Sequence, residues 1–256
     1  MSTSLITAYH RAEDYFFRAI STHCLDIGNT ATAYMTGVPV RDLNIVYVRN
    51  NKESVDAILS KCKKFYDQHN LLFVAIVPED LCPTGTDAVI HEAGYHQAGK
   101  SVAMALDLNS IKAPNALDNT KIRATDNRLY EWMIPMIESF ESTFNMTTCY
   151  ADAHKHAQAM KARLYHYNLY ENDEPITSIT LSVHGAIARI DDVGTIPEHQ
   201  RKGHATHLVN FALAKAKELG AMHCFLEASE SGLSIYQKLG FFPLFTTNIF
   251  SYALDE

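Results

Sequence analysis

The stretch VGTIPEHQRKGHAT, residues 193–206, constrains this chain more than any other: strand-forming residues run into a tight, basic, glycine-bearing turn, and a long amphipathic helix follows. That handover from strand to helix belongs to α/β or α+β folds rather than to bundles or sandwiches. The helix is expected over residues 203–219, with Leu208, Phe211, Ala212 and Leu219 on one face and Gly220 as its C-terminal cap. Its opening turn is an anion site on physical grounds. The first amides of a helix have no intrahelical acceptor and the macrodipole is positive there, so a phosphate set against residues 201–206 accepts several hydrogen bonds at once. Gly203 allows close backbone approach, Ala205 keeps the first turn open, and Arg201 and Lys202 add positive charge. The segment fits neither G-x-x-x-x-G-K-[ST] nor G-x-G-x-x-G, which removes the specific support for nucleoside-triphosphate and dinucleotide binding.

The remaining sequence alternates in the same manner. In the first half, residues 44–49 (NIVYVR) and 71–77 (LLFVAIV) read as strands. Between them, 54–69 reads as a helix, because Val55, Ile58, Leu59, Cys62 and Phe65 recur at spacings of three and four. A short helix over 87–92, ending at Gly94, precedes a strand at 101–106. DLNSIKAPNALDNT, residues 107–120, has the composition of an exposed connector and divides the chain into domains 1–112 and 120–256 with a linker at 113–119. In the second half, 127–140 is expected to be helical with a break or kink at Pro135. Strands at 165–170, 175–183 and 186–193 form an antiparallel meander, and after the long helix come a strand at 222–228, a short helix at 232–239 and a closing strand at 244–252. HEAGY at 91–95 and QKLGF at 237–241 each place a glycine-aromatic pair between a short helix and a final strand, an echo that suggests one fold repeated in tandem.

Composition narrows the function class. With 256 residues, 47 % of them apolar and 20 % charged, the chain can bury a sizeable core in one large domain or two small ones. A net charge of −7 argues against a nucleic-acid partner and favours one bearing an amine. No run approaches the roughly 18 apolar residues of a membrane helix, and MSTSLITAYHRAEDYF lacks the layout of a secretory signal, so no membrane partner and a cytoplasmic location are expected. Cys24, Cys62, Cys82, Cys149 and Cys224 are scattered without a C-x-x-C pair, as ordinary thiols are. His199, His204 and His207, the pair His154 and His156, and HEAGYH at 91–96 do not have zinc-helix spacing, so no metal is expected.

Three linked blocks in order carry a family resemblance: Thr195-Ile196-Pro197, then Gln200-Arg201-Lys202-Gly203-His204-Ala205 opening a helix, then Tyr236-Gln237-Lys238-Leu239-Gly240-Phe241 ending a short one. The second half thereby resembles the GNAT superfamily of acyl-CoA-dependent N-acyltransferases, closely over 186–243 and more loosely from 120 to the end. The resemblance implies a GNAT fold, a mixed central sheet flanked by helices, with a degenerate GNAT-like domain in the first half. It implies acetyl-CoA as cosubstrate and no metal. Val193, Gly194 and Thr195 would pair with the pantetheine arm like an added strand, and Gln200, Arg201, Lys202, Gly203, His204, Ala205 and Thr206 would hold the pyrophosphate. Two departures stand out: Thr195 replaces the usual Val, and Ser229 occupies the position where many members contact the cofactor arm through Asn.

The implied reaction is attack of a primary amine, from a small molecule or a protein, on the thioester. Tyr236 is the expected acid for the departing thiolate, since a phenol with an ordinary pKa of about 10 is protonated at neutral pH. Asp191, Asp192 and Glu227 are the candidate bases, with Asp192 ranked first because it should sit closest to the acyl end. The first half contains no Q-x-x-G-x-[GA] turn and is expected to shape the acceptor cleft rather than bind a second cofactor. Other readings of the same turn are a non-catalytic acyl-CoA sensor or scaffold and a phosphate or nucleotide site. The acceptor and the oligomeric state are not legible.

Overall fold

The computed structural model describes residues 3–82, 86–111 and 119–252. A long helix, α1 (Thr3–Ile20), opens the chain; β1 (His23–Ile27), β2 (Ala31–Met35) and β3 (Asn44–Val48) follow as an antiparallel meander. Helix α2 (Val55–Asp67) crosses back to β4 (Val74–Pro78), which pairs parallel with β3. A short helix, α3 (Thr86–Glu92), leads into β5 (Tyr95–Asp107). Next come β6 (Ile122–Ala124), α4 (Leu129–Ser139) and α5 (Phe144–Ala159). The first half's order then repeats: a meander of β7 (Leu164–Glu171), β8 (Glu174–His184) and β9 (Ile187–Thr195), a crossover helix α6 (His204–Glu218) and a parallel strand β10 (His223–Ser229). A short helix α7 (Leu233–Lys238) and a long strand β11 (Phe242–Tyr252) complete it. The pairs Gly94–Tyr95 and Gly240–Phe241 fall at the same joint in each half, between short helix and last strand.

One mixed sheet of eleven strands runs through both halves in the order β1-β2-β3-β4-β11-β5-β10-β9-β8-β7-β6. The last strand of each half has changed sides. β5 pairs with β10 from Ser101↔Ser229 to Asp107↔His223, while β11 pairs with β4 from Thr247↔Pro78 to Ser251↔Val74. The two exchanged strands pair with each other at the centre. Strand alternation in β5 explains the fit. Met104 and Leu106 face one way, onto Leu208, Val209 and Ala212 of α6, and the small Ala103 and Ala105 face the other way, where Tyr9 of α1 packs. A further cluster joins Phe16, Phe17, Tyr34 and Tyr47 of the first half to Trp132, Met136 and Tyr150 on α4 and α5.

The expected strands and helices occur with shifted ends; the strand expected at 101–106 extends back to Tyr95. Five strands and helices were not anticipated: α1, β1, β2, β6 and α5. Of the break or kink expected at Pro135, a break does not occur: helix α4 continues through it. Pro135 cannot donate to the carbonyl of Glu131, and the side chain of Asn168 takes that place, its Nδ2 donating to Glu131 O at 3.3 Å. The inner face of α6 is Leu208, Val209, Ala212, Leu213 and Ala216, with Phe211 and Leu219 at its margin. Most of the expected linker, 113–119, lies outside the described residues. No described helix is long and apolar enough to cross a membrane.

Candidate active site

Strands β9 and β10 pair over three residues, His223↔Ile187, Cys224↔Ala188 and Phe225↔Arg189, and then part. Beyond Arg189, β9 stays bonded to β8, and β10 to β5. Near the parting point β9 carries a bulge. Its register with β8 jumps between Thr180↔Asp191 and Ser178↔Gly194, and Asp192 has φ +57°. An extra residue of this kind bends the strand and re-aims its backbone. A groove of about 810 Å³ fills the V between the strands and continues along the turn into α6.

The turn has the form that the sequence suggested. Arg201 and Gly203 both have positive φ, and at Gly203, with φ +84°, an added Cβ would be strained although it meets nothing within 4 Å. The first internal bond of α6 is His207 N to Gly203 O at 2.9 Å, so the amides of His204, Ala205 and Thr206 lie ahead of it. No acidic residue stands in this first helical turn. Two side chains brace the loop from behind. Gln200 Nε2 donates to Thr195 O at 3.1 Å, and His199 Nδ1 lies 2.9 Å from Glu171 Oε2 at the end of β7.

Of the residues singled out in the sequence, Asp192, Val193, Gly194, Thr195, Gln200, Arg201, Gly203, His204, Ala205, Thr206, Ser229 and Tyr236 all line the groove; Lys202 is exposed and does not. Gly194 is pressed against α4, where an added Cβ would lie 2.3 Å from Ser139 Oγ and 3.2 Å from the Phe140 ring. Ser229 Oγ accepts from Gly232 N at 3.3 Å and so holds the entry to α7. Tyr236 sits on α7 with its ring edge-on to Phe241; burial, with Asp191 nearby, pushes its phenol up to about 12.

Three carboxylates meet at the parting point, each in a different setting. Asp191 is paired with the buried Arg189, whose Nε lies 2.9 Å from Oδ1; burial nonetheless raises its pKa. Asp192 turns back toward α5, where Tyr150 OH donates to Oδ1 at 3.0 Å; burial and the neighbouring Asp191 push it up to about 7. Glu227, on β10, is also pushed up to about 7 by burial, against hydrogen bonds that favour its ionised form. Its carboxylate accepts from Thr247 Oγ1 at 3.0 Å, Tyr9 OH at 3.4 Å, and the hydroxyls of Ser101 and Tyr47. Both halves therefore furnish the surroundings of one acid.

Tyr9, Tyr47, Ser101, Tyr150, His154, Arg189 and Thr247 were missed as members of this region. For two of the helices the signal was available. Tyr9, Ala12, Glu13, Phe16, Phe17 and Ile20 on α1, and Thr147, Tyr150, Ala151, His154 and Ala157 on α5, recur at helical spacing on one buried face. Nothing local marks Tyr47 on β3, nor Ser101 and Thr247, which the exchange of β5 and β11 brings to the site.

The family model described as acetyltransferase (GNAT) family matches residues 127–241, the span that holds the bulge, the turn and α7. The second half is a GNAT-family domain. Acyl transfer is the chemistry of that family, and the GNAT domain of this chain is an acyltransferase domain. The solved structures it resembles agree on the fold. A GCN5-related N-acetyltransferase from Kribbella flavida aligns with a TM-score of 0.66 at 15 % identity, over 97 % of this chain and 96 % of that one. One from Sphaerobacter thermophilus aligns with a TM-score of 0.61 at 13 % identity, over 91 % and 84 %. A tandem GNAT protein from the clavulanic acid biosynthesis pathway aligns with a TM-score of 0.56 at 16 % identity, over 89 % and 80 %. No curated protein matches the chain in sequence.

Proposed function

We propose that this chain transfers the acetyl group of acetyl-CoA to a primary amine. The observation that carries the reading is the single groove formed where β9 and β10 part, which leads without interruption from the carboxylates Asp191, Asp192 and Glu227 to the free amides that open α6. A diphosphate accepts hydrogen bonds from the amides of residues 203–206, aided by the exposed Arg201. The edge of β9 around Val193 and Thr195 pairs with the pantetheine amides as an added strand. Ser229 closes the far wall through α7.

The amine must be neutral to attack the thioester carbonyl. Asp192, with a pKa near neutrality, accepts its proton, and Tyr236 donates one to the departing sulfur. A phenol pushed up to about 12 stays protonated across the physiological range, as a proton donor must. Glu227 is a further carboxylate on the groove able to hold a cationic acceptor, and Tyr9 and Tyr47 of the first half support it by hydrogen bonds from behind. A tandem GNAT ancestry accounts for the repeated order of elements, with the first half no longer binding cofactor. Calorimetric titration with acetyl-CoA is expected to give one site per chain, and a panel of primary amines is expected to release free thiol from it. Two equivalent sites, or no heat at all, would overturn the reading.

A further inference from the structure

Behind Asp192 a line of buried polar groups leads away from the groove. Oδ2 of Asp192 faces Nε2 of His154 at 3.9 Å, too far for a hydrogen bond, and both atoms are buried without a hydrogen-bond partner. His154 Nδ1 lies 2.9 Å from His166 Nε2, and His166 Nδ1 lies 3.0 Å from Asp126 Oδ1. Both imidazoles are fully buried, and Trp132 covers them with ring centroids at 4.7 and 4.9 Å. Asp126, by contrast, keeps 33 % of its side chain in solvent. Burying two imidazoles requires partners for their four ring nitrogens, and the nitrogen left over points at the candidate base.

We propose that His154, His166 and Asp126 relay protons between Asp192 and solvent, acting through Asp192 without touching substrate; the inference rests on Asp192 as the base of the proposed transfer. The line can be polarised in two ways. In one, His166 Nδ1–H donates to Asp126 and His154 Nδ1–H donates to His166, leaving His154 Nε2 bare toward Asp192. In the other every proton is reversed, and Gln158 Nε2, 3.1 Å from His166 Nδ1, donates to the bared nitrogen. A proton taken up by Asp192 from the amine converts the first into the second. Asp192 Oδ2 turns toward His154 and passes its proton to Nε2, Nδ1–H of His154 passes to His166 Nε2, and Nδ1–H of His166 passes to Asp126 Oδ1, which releases it to water. Asp192 loses one proton, Asp126 gains one, and each ring ends neutral in its other tautomer.

The surroundings favour neutral rings. Burial lowers the pKa of both histidines, so neither is a resting place for charge. The groups facing them are Trp132 on α4, Tyr150 and Gln158 on α5, Phe16 on α1, and Asp126 and Asp192 at the two ends. Arg189 and Asp191 neutralise each other alongside.

The test uses the whole chain with 15N-labelled histidine. Between about pH 5 and pH 9, where an ordinary histidine titrates, both rings are expected to stay neutral while their ring-nitrogen shifts move together with one midpoint. That common midpoint should vanish in Asp192→Asn. Asp126→Asn, at the partly exposed end, is expected to lower turnover about 10-fold or more with the best amine of the panel and to move the pH midpoint of kcat, leaving acetyl-CoA affinity unchanged; Asp126→Glu should restore it. Histidine shifts indifferent to Asp192→Asn, or an unaltered kcat profile in Asp126→Asn, would overturn the relay. Absence of heat on acetyl-CoA addition sinks the transfer reading instead, whatever the histidines show.

Discussion

The sheet contains two parallel pairs, β3–β4 and β9–β10, built alike and finished differently. Each pairs over three residues and each is bridged by a crossover helix. In the second half that helix opens after a left-handed glycine with no acid in its first turn. In the first half α2 opens on the buried Val55, carries Asp56 in its first turn, and is preceded by Glu53, which pairs with Lys61. Carboxylates thus stand at the opening of α2, where that of α6 has none. A strand-helix-strand unit becomes a phosphate cradle only when the turn bares its amides and keeps carboxylates out. What the first half does contribute is hydroxyls: the buried Tyr9 and Tyr47 reach Glu227 across the exchanged strands.

The sharpest way to break this comparison is to treat the halves as independent. Ending the chain after Phe241 removes β11, which lies between β4 and β5. Loss of ordered structure in both halves is expected, read by circular dichroism and amide exchange. Persistent protection of residues 23–78 would show that the first half stands alone. Next in size is Gly203→Asp, which introduces a side chain and a negative charge at the opening of α6 and is expected to abolish acetyl-CoA binding by calorimetry; unchanged affinity would move the cradle elsewhere. Tyr236→Phe should lower kcat on the order of 100-fold while the dissociation constant for acetyl-CoA holds, and an undiminished rate would remove the phenol from the mechanism.

What the sequence disclosed follows the same division. The second half was legible because its information is local: the turn at 195–205, the helix behind it and the closing QKLGF lie in order along the chain, and each has a spacing that physics explains. The placement of three carboxylates beside that turn was legible for the same reason, with Asp191, Asp192 and Glu227 on neighbouring strands. The exchange of β5 and β11 was not, since a strand bears no mark of which neighbour it will choose. With it went Ser101 and Thr247, which lie 146 positions apart and share one carboxylate. His154 was seen only as a non-ligand and His166 was not singled out, because their pairing depends on α5 packing against β7.

A last contrast is between two acids that α1 helps to bury. Glu13, fully buried, is ion-paired with Arg49, so its charge is answered by another charge. Glu227 is answered by hydroxyls, and burial raises it from an ordinary 4.5 to about 7. The folded state therefore holds this proton more tightly than the unfolded chain does. Its contribution is most favourable below pH 4.5 and declines as pH rises through that value to about 7, beyond which it is constant. Glutamine at this position cannot ionise. Glu227→Gln should accordingly gain stability relative to the parent over that window, by up to about 3 kcal/mol at about 1.4 kcal/mol per pKa unit, with Tm curves that separate between pH 5 and pH 8. A difference that stays flat with pH would mean that Glu227 is ionised at little penalty, and that its hydroxyl shell serves as well as the arginine that serves Glu13.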